Sequence, residues 1–104
     1  MVKYYHKLIR DKIPQIIAAQ GKTTVTETLS QEEYVKMLEE KLSEELSEYL
    51  ESKEPEELAD LLEVMEAVAS ARGYSWEEIL KIQKEKREAR GGFQNRILLK
   101  EVID

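Results

Sequence analysis

Two short stretches of this chain carry acidic residues at a spacing that can do chemistry. They are Glu45-Leu46-Ser47-Glu48 and, after the eight residues 49–56, Glu57-Leu58-Ala59-Asp60. Positions three apart share one face of a helix, so each stretch can present a pair of carboxylates. Spacing alone says little, because 22 of the 104 residues are acidic and most such pairs lie on solvated faces. Helical phase separates the candidates. At about 100° per residue, Glu45 falls inside the apolar stripe of Leu38, Leu42, Leu46 and Tyr49, and Glu48 lies on its border. Glu40, Glu44 and Glu51 point away from that stripe. In the next helix Glu57 falls inside an arc of Leu58, Leu61, Val64 and Val68 with Asp60 on its edge, whereas Glu63 and Glu66 lie outside it.

A carboxylate aimed at a core is costly unless its charge is compensated. Lys41 and Arg72 lie near these faces and can act as ion-pair partners, which is the purely structural explanation. A divalent cation neutralises four facing carboxylates more directly, and facing helices are a recurrent way to build such a site. The chain has no Cys, and its one histidine, His6, is far from these helices in sequence. The ligands are therefore all oxygen, which selects a hard ion, Mg²⁺ first and Mn²⁺ as a substitute. Such ions keep waters and share ligands with phosphates, so a phosphate ester or anhydride is the expected substrate class.

The elements that must hold these residues follow from start and stop signals. Asp11, Pro14 and Gly21 bracket a short helix at about 11–20. Ser30 with Glu33 forms a capping box opening a helix over 31–52. Pro55 opens a third helix that runs to about 72 and stops at Gly73, and Ser75 with Glu78 opens a fourth that ends before Gly91-Gly92. Residues 23–29 are β-branched with partial alternation, and the apolar tail 97–103 can pair with them as a short two-stranded β ribbon. The expected fold is all-α, a helical hairpin in a single domain spanning 1–104. The third helix's apolar arc, about 160° wide, is broader than one-sided packing requires. A homodimer, or a homotetramer, would complete a four-helix-bundle core.

The formal net charge of −6 conceals a segregation. Residues 1–22 carry +4, residues 32–66 carry −11 and residues 81–100 carry +5. An acidic centre that can hold cations sits between basic arms that can hold phosphates. In the first arm these are Lys7 and Arg10; in the second, Lys84, Arg87 and Arg90 step along one face towards Gly91-Gly92, with Arg96 beyond. Lys81 and Lys86 are read as macrodipole compensation and solvated charge. Trp76 is read as a core or interface anchor, and His6 as a packed or surface residue. A long nucleic acid is not expected, since the acidic centre repels a polyanion. With no apolar run of membrane-spanning length and no Cys, the expectation is a soluble cytoplasmic protein without disulfides.

Taken together, Glu45-Leu46-Ser47-Glu48 and Glu57-Leu58-Ala59-Asp60-Leu61-Leu62 resemble the ExxE…ExxD signature of MazG-type all-α nucleoside triphosphate pyrophosphohydrolases. Lys7-Leu8-Ile9-Arg10-Asp11-Lys12-Ile13-Pro14 and Arg90-Gly91-Gly92-Phe93 through Arg96-Ile97 resemble their small, phosphoribosyl-ATP pyrophosphohydrolase-like branch. The resemblance spans nearly the whole chain. It implies that Glu45, Glu48, Glu57 and Asp60 bind Mg²⁺, and that a nucleotide is hydrolysed between its α and β phosphates to a monophosphate and pyrophosphate. It further implies that Glu45 or Glu48 orients the attacking water and that Lys84, Arg87 and Arg90 hold the distal phosphates. The eight-residue separation of the motif halves is shorter than in many members, so contacts made elsewhere from a longer connection do not carry over. Members differ in substrate, and its identity does not carry over either. The competing expectation is a non-catalytic helical oligomer or adaptor that retains the fold and docks through its acidic face.

Overall fold

The computed structural model describes residues 1–104 and contains four helices and no strands. They are α1 (Ile13–Ala19), α2 (Gln31–Ser52), α3 (Pro55–Ala71) and α4 (Trp76–Arg90). The chain divides into two compact units, Met1–Gly73 and Tyr74–Asp104. The all-α expectation holds. No helix is long and apolar enough to cross a membrane.

Local chemistry accounts for the helix boundaries. Ser30 Oγ accepts the backbone N–H of Glu33 at 3.3 Å and its hydroxyl donates to Glu33 Oε1 at 3.1 Å, which fixes the start of α2. Ser75 Oγ accepts the Glu78 N–H in the same way at the start of α4. At the other end of α2, Lys53 turns into the left-handed region (φ 62°) while its N–H still reaches the carbonyl of Tyr49 at 2.7 Å. Pro55 keeps Glu54 extended, and α3 starts at once. Two residues thus reverse the chain into an antiparallel hairpin. Arg72 and Gly73 (φ 79°) end α3.

Two expectations are corrected. The first helix starts at Ile13 rather than at 11: Pro14 occupies its first turn, where a missing N–H is not needed, and the cap falls on Lys12, which has no side-chain acceptor. Asp11 therefore caps nothing. The β ribbon is absent, since neither 23–29 nor 97–103 forms a strand. An isolated two-stranded ribbon is marginal without a surface to bury its apolar face, and Ile97, Leu98, Leu99, Val102 and Ile103 all lie exposed.

The first unit's core is the seam between α2 and α3. Leu38, Val64 and Ala69 are the buried hydrophobic residues of this unit, and Glu45 is its buried charged residue. Leu46, Leu50, Leu58, Leu62 and Met65 remain 42–55% exposed. Leu46 and Leu50 follow the seam residues around α2 in the same rotational sense as Leu58, Leu62 and Met65 follow them around α3. In antiparallel helices equal senses point to the same side, so these five residues form one apolar face of the hairpin. Glu48 and Asp60 are displaced in the opposite sense and lie on the other side. With so few buried residues, truncating one should be felt strongly: Leu38→Ala is expected to lower unfolding free energy by about 3 kcal/mol, measured by urea denaturation followed by helical circular dichroism.

Candidate metal centre

Glu45 is the residue on which this site is built. It sits on α2 facing α3, is 7% exposed, and its Oε2 has no hydrogen-bond partner. Its Oε1 is 3.5 Å from the ammonium of Lys41, one turn earlier on the same helix. Across the seam α3 contributes Glu57 and Asp60, both half-buried, and one oxygen from each lies within 4.8 Å of the other and of Glu45. On its own helix Glu45 forms a second such group with Glu44 and Glu48, both exposed. Glu45 is common to the two.

The electrostatics follow from this placement. Burial is the main cause that pushes the Glu45 carboxyl above the usual glutamate range. A hydrogen bond with Glu48 and that residue's charge push the same way; Lys41 opposes them, and the charge of Asp60 adds to the rise. One cation on α2 therefore does not compensate the cluster. A second comes from outside the hairpin: Arg10 Nη2 donates to Asp60 Oδ1 at 2.8 Å, joining the segment before α1 to α3.

Several sequence expectations meet the structure here. Glu45, Glu57 and Asp60 come together as expected, with Glu48 beside Glu45. Glu44, expected to point away, joins the group, because residues at i and i+4 are neighbours and Glu44 and Glu48 flank Glu45 on adjacent turns. Lys41 pairs as expected. Arg72 does not: it holds Glu39, with Nε and Nη2 each 2.9 Å from a carboxylate oxygen. Phase places Arg72 near the correct face but ignores height, and twelve residues beyond Asp60 is about 18 Å further along the axis. Lys7 is exposed, its ammonium 5.9 Å from the centroid of the Tyr5 ring. Lys84, Arg87, Arg90 and Arg96 belong to the second unit and are all exposed. Within it Arg90 and Arg96 line a depression of about 200 Å³ with Gly91, Gly92, Gln94 and Asn95. Arg96 there adopts a left-handed backbone (φ 56°).

The residues present suit a hard divalent cation. All donors are carboxylate oxygens, one of them buried without a partner, which is an arrangement that a polar interior rarely leaves uncompensated.

Comparison with known proteins adds little to this geometry. No protein-family model matches the chain, and no solved structure does. An uncharacterized protein of Mycolicibacterium smegmatis is 50% identical over 36 residues, covering 35% of this chain and 37% of that relative.

The elevated Glu45 carboxyl has a consequence for the metal-free protein. Folded Glu45 holds its proton more tightly than unfolded Glu45, so this contribution to stability is complete below the ordinary glutamate range and is lost as pH rises through the elevated value. In EDTA, Glu45→Gln, neutral throughout, should gain stability relative to the wild type as pH rises above the ordinary glutamate range. Urea unfolding across that rise tests this, and a difference independent of pH would contradict it.

Proposed function

We propose that this chain is a Mg²⁺-dependent nucleotide pyrophosphohydrolase that cleaves the α–β phosphoanhydride of a nucleoside triphosphate or related nucleotide. The observation that carries the reading is the buried, half-unpartnered Glu45 carboxylate facing Glu57 and Asp60 across the hairpin. The ordered resemblance of both motif halves and both basic flanks to the MazG-type enzymes supports it. Glu45, Glu57 and Asp60 hold the ion, with Glu48 completing the set, and Mn²⁺ can substitute. An ion held there would supply charge to neutralise the phosphate chain and to lower the pKa of a water.

The protein's own residues supply the rest. Glu48, exposed at the margin beside Glu45, orients the attacking water and accepts its proton. The water oxygen bonds to the α phosphorus as the bond to the bridging oxygen breaks, and pyrophosphate leaves with that oxygen. Arg10 and Lys7 are assigned to substrate phosphates from the first unit. Lys84, Arg87, Arg90 and Arg96 are assigned to phosphate by type and spacing, with guanidinium forks suited to its oxygens.

We further propose that the apolar face of Leu46, Leu50, Leu58, Leu62 and Met65 is covered by the same face of a second copy, giving a four-helix core. This leaves the carboxylate side of the hairpin free. Sedimentation equilibrium should return a multiple of the 12.1 kDa chain mass, and Leu62→Glu should shift it towards the monomer. An unchanged mass for Leu62→Glu would contradict the assignment of this face.

The activity is tested by pyrophosphate release from a panel of NTPs, dNTPs and phosphoribosyl-ATP with Mg²⁺. Turnover is expected on at least one and should fall by at least about a hundredfold in Glu57→Gln. Thermal melting gives a second readout: Mg²⁺ should raise the wild-type midpoint and leave that of Glu57→Gln unmoved. An adaptor that merely keeps the fold would show no turnover, no Mg²⁺ shift, and a neutral or stabilising Asp60→Asn.

A further inference from the structure

We propose that Arg10 is the exchangeable counter-ion of the carboxylate site: its guanidinium holds Asp60 while no metal is bound, leaves when the site loads, and is then free for a phosphate of the incoming nucleotide. The inference rests on the carboxylates being a metal site, and goes beyond it by giving one residue two partners in sequence.

The two cations beside the carboxylates are held in different ways. Lys41 is one turn from Glu45 on the same helix and its side chain is only 19% exposed, so it has little freedom to leave. Arg10 reaches Asp60 from fifty residues away in sequence, through a single bond of 2.8 Å, with its side chain 58% exposed. Its backbone is anchored separately, since the carbonyl of Arg10 accepts the N–H of Ile13 at 3.1 Å in the turn that opens α1. The head group can therefore swing into solvent while the segment that carries it stays fixed.

Charge decides the direction of the exchange. An exposed ion pair shifts an equilibrium by no more than about fivefold, because water competes for both partners. A divalent ion ligated by Asp60 carries twice the charge of the guanidinium and repels it at close range. Once released, Arg10 stays tethered beside the site, and its planar fork of five donors matches the oxygens of a phosphate better than it matches one oxygen of Asp60.

The test uses the full-length chain at low salt. Mn²⁺ titration calorimetry should show Arg10→Gln binding about fivefold more tightly than the wild type, with Arg10→Lys, which keeps the charge, within about twofold of it. In isotope-labelled wild-type protein, Mg²⁺ should move the Arg10 Nε–H resonance towards its position in Asp60→Asn, where the bridge is already broken. Wild-type Mn²⁺ binding with no gain in Arg10→Gln, or a resonance that stays put on saturation with Mg²⁺, would overturn the exchange and leave the metal site standing. No Mn²⁺ binding by the wild type would overturn the site itself and the exchange with it. Should Arg10→Gln fail to fold, the resonance experiment decides alone.

Discussion

The burial of one carboxylate in the only helix–helix seam of the first unit is the constraint on which the arrangement around it depends. Glu45 is buried in the seam of α2 and α3, and one of its oxygens has no hydrogen-bond partner. A chain with so small a core gains nothing in stability from such a residue; the Lys41 contact offsets its charge only in part. The acids around it make the imbalance worse, since Glu48 and Asp60 both disfavour its ionised form.

The hairpin separates two demands by side. Leu46, Leu50, Leu58, Leu62 and Met65 lie along one face and Glu48 and Asp60 along the other, with Glu45 in the seam between. Packing on the apolar face can then change without disturbing the carboxylates. The seam holds both the core and Glu45, so the buried carboxylate is also the one most exposed to changes in core packing.

Much of this was legible in the sequence, and the failures have a common physical origin. The limits of α2, α3 and α4 followed from Ser30, Pro55, Gly73, Ser75 and Gly91, whose roles are local. The phase of Glu45, Glu57 and Asp60 followed from helical geometry alone. What could not be read was height and reach. Arg72 shares a face with the carboxylates but lies some three turns beyond them, and pairs with Glu39 instead. Glu44 lies on the wrong face yet has a side chain long enough to come round. The bridge from Arg10 to Asp60 depends on the path of an irregular segment, for which no periodicity exists. The β ribbon failed for a related reason: strand pairing is non-local, and β-branched composition does not supply the surface a ribbon needs.

The two-residue link between α2 and α3 also bears on when the site forms. All four carboxylates fall within the sixteen residues 45–60, joined through Lys53 and Glu54. Contacts so close in sequence close early, because little loop entropy is lost in making them. The carboxylates are therefore brought together by closure of the hairpin itself. In a folding chain the mutual repulsion of these acids would be felt at its first tertiary contact, and an ion present at that moment would act on the rate of folding as well as on the stability of the product.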